Sequence, residues 1–310
     1  VTPEGMTVVM CVDRAFVVPL AVGLASMDGS ASGRVTVYVM HPGLSDETRD
    51  RVTRPLSRLI VKWIDVPPER VAGAHFSVFL SEASLYRLLL GELLPESVER
   101  VLYIDADVVI ADDVLPLTEV ELYGATVAAV RESQSPWAAG PLGPPWRELG
   151  LRPDAAYFNS GVMLIDVRRW RQRDIGRRAL EVLRTSSPRW GDQDALNTAL
   201  QDDWIELPRR WNLQSADLRG ETASWALWRA DVEDAVADPA IVHYTERDKP
   251  WDPRTAHPLA ALWRSHLDRT DWAGWRAVVP RPSIWERGGR TLLHAARSAL
   301  ARRESSPFPE

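Results

Sequence analysis

The first half of the chain alternates short apolar, β-branched runs with stretches whose apolar residues recur at helical spacing. This pattern predicts an α/β protein built on parallel strands. Strands are expected at Thr7–Val12, Val35–Met40, Leu59–Asp65, Val101–Asp105 and Thr126–Val130. Pro19–Met27 reads as a helix, its proline tolerated in the first turn. Ser45 followed by Asp46 and Glu47 starts another, with acids at the positive end of the helix dipole. Ser81-Glu82 gives the same signal ahead of Leu85, Leu88 and Leu89.

From Ser133 to Pro153 the chain is rich in Pro, Gly and Trp and reads as a loop, of a length that is often functional. Regular structure is expected to resume at Tyr157–Asp166, with helices near Asp174–Arg184 and Asp192–Leu200 and a short strand at Ile241–His243. Beyond Trp251, Pro253, Pro258, Pro280 and Pro282 punctuate short helical pieces, and a last helix is expected at Ile284–Arg303. The expected division is a catalytic domain over residues 1–255 and a small, mostly helical extension over 256–310.

Composition narrows the classes. With 310 residues and 45% hydrophobic content the chain can bury a sizeable core. A net charge of −6 leaves no electrostatic footprint for nucleic acid. The single cysteine, Cys11, excludes an intramolecular disulfide and sits in an apolar run where a buried thiol is the default. No basic, then apolar, leader is apparent, and Ala15–Met27, the longest apolar stretch, falls short of the ~20 residues that span a bilayer. The expectation is a cytoplasmic protein. In the last helix, Arg287, Arg290, Arg297, Arg302 and Arg303 accompany Leu292, Ala296 and Leu300. That pattern fits peripheral contact with the inner face of a membrane, or equally a packed or solvated helix.

Four clusters carry candidate chemistry. Asp105-Ala106-Asp107 follows Val101-Leu102-Tyr103-Ile104, a run apolar enough for a central strand. Carboxylates at that strand's end lie where open α/β sheets place ligands, and alternation points residues i and i+2 to one side. They could share a hard divalent cation such as Mg²⁺ or Mn²⁺; alone, the motif reads equally as a solvated turn. His243 ends a short strand and could add an imidazole, favouring Mn²⁺, or be a satisfied structural histidine. Lys249, one of only two lysines, could offset charge on a diphosphate. Asp192-Gln193-Asp194 opens a helix, where Asp192 is either an N-cap or a contact to a sugar ring. In Tyr157-Phe158-Asn159-Ser160-Gly161-Val162, small residues could admit a ligand close to the backbone, or mark a bulge. The 14 tryptophans could stack on sugars, though core packing is their default.

Taken in order, these segments resemble the retaining glycosyltransferases of family 8, which include bacterial lipopolysaccharide galactosyl- and glucosyltransferases and glycogenin. The most specific match runs through Leu85-Tyr86-Arg87-Leu88, Leu93-Leu94-Pro95 and Arg100-Val101-Leu102-Tyr103-Ile104-Asp105-Ala106-Asp107. Phe158-Asn159-Ser160-Gly161-Val162, Trp190-Gly191-Asp192-Gln193-Asp194, Trp211-Asn212, His243-Tyr244 and Lys249-Pro250-Trp251 follow in the family's order. The resemblance implies a GT-A fold, a Rossmann-like mixed sheet flanked by helices, and a UDP-hexose donor carrying galactose or glucose. It implies retention, and Mn²⁺, with Mg²⁺ as the alternative, on Asp105, Asp107 and His243. By the same resemblance Cys11, Val12 and Asp13 belong to the nucleotide-binding loop, with Asp13 against uracil. Arg87, Asp105, Ala106, Asn159 and Ser160 lie along the donor, Asp192 bonds sugar hydroxyls, Gln193 faces the anomeric carbon and Lys249 binds phosphate. The acceptor would be a glycan, a lipid-linked sugar or a small molecule.

Two positions depart from the family. Ala15 stands where a polar residue is common, and Glu246 where a glycine is usual. A carboxylate at 246 would crowd or repel the diphosphate unless it turned outward or paired with Arg247. The alternatives are an inverting GT-A transferase, a nucleotide-sugar pyrophosphorylase and a catalytically silent sugar-nucleotide-binding protein. The N-terminal Cys11–Phe16 segment is not the Gly-rich basic loop of a pyrophosphorylase.

Overall fold

The computed structural model describes residues 5–74, 82–220 and 226–277. The chain divides into two units, Val1–Trp275 and Arg276–Glu310. The expected helix at Ile284–Arg303 lies outside the described residues, as does Ser81. No helix among the described residues is long and apolar enough to cross a membrane.

β1 (Met6–Cys11), β2 (Val35–His41), β3 (Leu59–Asp65) and β4 (Arg100–Ile104) form where the β-branched runs predict. α1 (Val17–Ser30) and α2 (Asp46–Thr53) connect the first three, and Ser45 caps α2 by accepting the Thr48 N–H. Together with β6 (Val127–Arg131), β7 (Phe158–Asp166) and β8 (Trp204–Glu206) they make a seven-stranded sheet of order β3-β2-β1-β4-β7-β6-β8. The sheet is mixed: β1 to β4 run parallel, and β7 is antiparallel to both β4 and β6. Both faces are covered, because alternate residues of a strand supply different cores. Val8 and Met10 pack with Leu20, Leu24 and Met27 of α1. Val9 packs on the other side with Leu85, Leu88, α6 (Ile175–Thr185) and α7 (Asp192–Ala199). Val101, Leu102, Tyr103 and Ile104 are each at most 1% exposed. At about 1.5–3 kcal/mol per fully buried large side chain, β4 is an anchored rail for the residues at its carboxyl end.

A second, three-stranded sheet begins immediately beyond those residues. β5 (Val108–Ile110) starts directly after Asp107, and β10 (Ile241–His243) lies between it and β9 (Leu213–Gln214). This sheet packs on α1 and on the helix Ala260–Leu267 through Val22, Val109, Val242, Tyr244 and Trp263.

The segment before β4 is a broken helical run. α3 (Ala83–Tyr86) passes into a 3₁₀ turn, Arg87–Leu89, and then α4 (Leu90–Leu93). α5 (Val167–Gln172) leads from β7 towards α6. The long loop after β6 carries no helix and holds its own small core of Ala138, Leu149, Leu151 and Ala155.

Candidate active site and metal centre

The Asp105-to-Asp107 segment is the bend where the chain leaves the large sheet for the small one. Its carboxylates converge through that bend and its cationic neighbours, not through the strand alternation the sequence suggests. Register places the histidine: β10 pairs antiparallel with β5 so that His243 sits opposite Val108, next to Asp107. The Tyr244 N–H also donates to the Asp107 carbonyl at 3.0 Å.

Each aspartate has one oxygen held by a cation and the other left towards the histidine. Asp105 Oδ1 accepts from Arg87 Nη2 at 2.8 Å and from the Tyr103 hydroxyl at 2.7 Å. Its Oδ2 lies 3.6 Å from His243 Nε2. Asp107 Oδ2 accepts from Lys249 Nζ at 2.7 Å, and its Oδ1 is 3.3 Å from His243 Nε2. Burial works against the Asp107 carboxylate, but Lys249 and His243 hold it well below the ordinary range. One ligand atom from each of Asp105, Asp107 and His243 lies within 4.8 Å of the others. Two hard oxygens and one imidazole nitrogen fit Mn²⁺ or Mg²⁺, and the nitrogen shifts the balance to Mn²⁺.

Gly161 makes this approach possible. A Cβ there would fall 2.0 Å from His243 Cε1 and 2.8 Å from Asp105 Oδ2. The small residue therefore admits the histidine itself. The pairing with β6 is also irregular here, the step from Ala129 to Arg131 standing opposite the longer step from Met163 to Phe158, so the bulge suggested by the sequence lies in this same stretch of β7.

Arg87 ties the Asp105 carboxylate to β7 and to Asp192. It reaches Asp105, donates Nη1 to the Ser160 carbonyl at 2.9 Å, and lies 3.2 Å from Asp192 Oδ2. Burial would lower the Arg87 pKa, but Asp105 and Asp192 raise it, so the guanidinium stays charged. Burial pushes Asp192 up to about 6 against the pull of Arg87. The N-cap reading of Asp192 is corrected: Gly191, at φ 59°, is the N-cap, and the Asp192 carboxylate turns inward to Arg87. Asp194 reaches back instead to accept the Trp190 N–H at 2.9 Å and also accepts from the Tyr157 hydroxyl.

Gln193 Oε1 accepts the Ser160 N–H at 3.2 Å. Its Nε2 donates to Glu132 Oε2 and to the Tyr157 hydroxyl, each at 3.3 Å. Glu132 carries no local signal in the sequence. It follows β6, one strand over from β7, and accepts from Asn159 Nδ2 at 2.9 Å. The rule that sites gather at strand ends points to it only once β6 is placed beside β7.

At the end of β1, the Cys11 thiol is buried, which pushes it up to about 12. The Val12 N–H donates to the Met40 carbonyl at 3.0 Å. Asp13 Oδ1 caps the following 3₁₀ turn by accepting the Ala15 and Phe16 N–H groups at 2.8 and 3.0 Å. Ala106 is buried between the two aspartates. Glu246 turns to Gln134 Nε2 at 3.0 Å and to Arg219 Nη1 at 2.5 Å, so its charge is met by a neighbour that local sequence does not suggest.

Comparison with known proteins gives a consistent result. The chain is 28% identical over 279 residues to general stress protein A of Bacillus subtilis, covering 87% of this chain and 95% of that protein. It is 29% identical over 200 residues to a lipopolysaccharide 1,2-glucosyltransferase of Escherichia coli, covering 62% of this chain and 56% of that protein's length. A crystal structure of the galactosyltransferase LgtC with donor and acceptor sugar analogues superposes with a TM-score of 0.74 at 24% identity. That match covers 91% of this chain and 99% of LgtC, which establishes the GT-A fold. The family model described as glycosyl transferase family 8 matches residues 7–255, and the chain belongs to that family.

Proposed function

We propose that the protein transfers galactose or glucose from a UDP-hexose to an acceptor hydroxyl, with retention and with Mn²⁺. The observation that carries this reading is the convergence of Asp105 Oδ2, Asp107 Oδ1 and His243 Nε2, with Lys249 on the far oxygen of Asp107. A divalent cation held there would neutralise charge on the departing diphosphate. Lys249 would bind the same diphosphate from the side of Tyr244 and Trp251. Cys11, Val12 and Asp13 would line the nucleotide, and Arg87, Ala106, Asn159 and Ser160 the donor.

Retention by front-face attack suits the packing best. The bond from the anomeric carbon to UDP breaks as the acceptor oxygen attacks the same face, and the acceptor's proton passes to the leaving phosphate oxygen. Gln193, beside the anomeric carbon, would stabilise the developing cation with its carbonyl dipole. A covalent intermediate is disfavoured by the state of the neighbouring carboxylates. Asp194 is fully buried and held by Trp190 and Tyr157, and Asp192 is buried against Arg87. The pairing of Glu246 with Arg219 and Gln134 removes the main motive for a silent binding protein. The acceptor class rests on the family resemblance, and any peripheral membrane contact on the arginines that accompany Leu292, Ala296 and Leu300 in the C-terminal sequence.

The test is UDP release from a panel of UDP-sugars with and without Mn²⁺. Release that requires Mn²⁺ and is lost in Asp107→Ala supports the reading. Tight UDP binding with no turnover on any donor would favour a silent binding protein.

A further inference from the structure

The metal-facing nitrogen of His243 is selected by a row of side chains that reaches the sugar side of the site. Asn159 Oδ1 accepts the Gly161 backbone N–H at 3.0 Å, and Asn159 Nδ2 meets the Glu132 carboxylate at 2.9 Å. A backbone donor at one end and a carboxylate acceptor at the other fix the orientation of the Asn159 amide. The Asn212 atom 2.9 Å from Asn159 Oδ1 must then be its nitrogen, which leaves Asn212 Oδ1 to face His243 Nδ1 at 2.9 Å. The oxygen can only accept, so Nδ1 carries the proton. With Nδ1 committed to Asn212, the nitrogen left for a ligand is Nε2, which faces the space between Asp105 Oδ2 and Asp107 Oδ1.

The fold makes this arrangement rigid. Asn212 is 0% exposed, ends a 3₁₀ turn (Arg209–Asn212) and immediately precedes β9. β9 pairs with β10 in the register Val242 to Leu213 and His243 to Gln214. A buried amide with both its donor and its acceptor engaged has no alternative partner at comparable cost.

We propose that Asn212 is a positioning residue for the metal centre. It locks His243 in the Nδ1–H tautomer and, through Asn159 and Glu132, links the imidazole ligand to the residues around Gln193. This inference rests on the reading of Asp105, Asp107 and His243 as a cation site. Partners of a ligating imidazole commonly change metal affinity by about 10- to 100-fold when removed.

Two variants separate positioning from simple packing. Asn212→Leu removes the acceptor at similar volume. Asn212→Asp keeps an acceptor for Nδ1–H but gives up the donor to Asn159. Positioning predicts that Mn²⁺ affinity, measured by electron paramagnetic resonance, falls about 10- to 100-fold in Asn212→Leu and stays within about threefold of wild type in Asn212→Asp. A packing role predicts instead that both variants lose affinity in step with their melting temperatures. Long-range ¹H–¹⁵N NMR on the diamagnetic wild-type protein reads the tautomer directly and depends on neither variant folding. Nδ1–H at His243 is the expected result. A His243 Nδ1 that carries no proton, or an Asn212→Leu protein that binds Mn²⁺ like wild type, would overturn the proposal while leaving the transferase reading intact. A wild-type protein that binds no divalent cation would overturn both.

Discussion

The His243 ring packs against the bare Cα of Gly161, so closely that a single added methyl would fall 2.0 Å from the ring carbon Cε1. The histidine lies on the small sheet and the glycine on the large one, so this contact sets the distance between the two sheets where His243 approaches Asp105 and Asp107. Gly161→Ala should therefore move His243 away from Asp105 and Asp107. The expected outcome is a loss of Mn²⁺ affinity of at least about tenfold, in line with the sensitivity of metal sites to displaced ligands, read by titration under electron paramagnetic resonance.

Arg87 satisfies the buried carboxylate of Asp192, the half-buried one of Asp105 and a backbone carbonyl at once. Arg87→Met removes the charge at similar length and leaves the buried Asp192 carboxylate without its cation. Urea denaturation should register a loss of about 3–5 kcal/mol, the cost of breaking a buried ion pair by removing one partner. Arg87→Lys should rescue this only in part, because an ammonium cannot reproduce the forked contacts.

Asp28, near the end of α1, is a structural carboxylate far from any chemistry. It accepts the backbone N–H groups of Ser57, Arg58 and Leu59 and the Ser57 hydroxyl. Burial would raise its pKa, but these donors outweigh it and lower the value below the usual 3.8. A depressed carboxylate contributes stability that is fully present above its unfolded pKa and is lost as pH falls through the folded value. The melting temperature of wild type should thus fall towards that of Asp28→Asn below about pH 4 and exceed it above about pH 5. Parallel curves across that window would contradict the assignment.

Glu246 bears on whether the loop after β10 can accept a diphosphate. Its carboxylate is turned to Arg219 and Gln134, so it should not repel the donor. Glu246→Gln is expected to leave the donor KM within about threefold, since a side chain already paired away from the ligand contributes little to binding. A KM improved tenfold would mean that the native charge faces the diphosphate.

Much of this site is legible in the sequence because its aspartates come after a strand with no polar interruption. Val101–Ile104 predicts a buried rail, and Asp105 and Asp107 can only emerge at its end. The order of the later segments supplies His243 and Lys249 through family likeness. The sequence does not reveal how they meet. β5 and β10 are three residues each and β9 is two, too short for periodicity to resolve. Their register, which sets His243 opposite Val108, is a property of the folded sheet. Glu132 is silent in the sequence for the same reason: it adjoins Asn159 only because β6 and β7 are antiparallel neighbours. Local reading of Asp192 as a helix cap fails because Arg87, distant in sequence, captures the carboxylate. Arg219 as the partner of Glu246 is likewise a tertiary pairing with no local signature.

Retention at a site built on Asp105, Asp107, His243 and Gln193 can be tested without knowing the acceptor, since water can take the hexose. ¹H NMR in the first seconds to minutes of Mn²⁺-dependent hydrolysis, before mutarotation, reads the anomer released from UDP-α-galactose or UDP-α-glucose. A retaining enzyme releases the α-anomer first, and that is the expected result. The β-anomer as first product would contradict it and place the chemistry with inverting transfer.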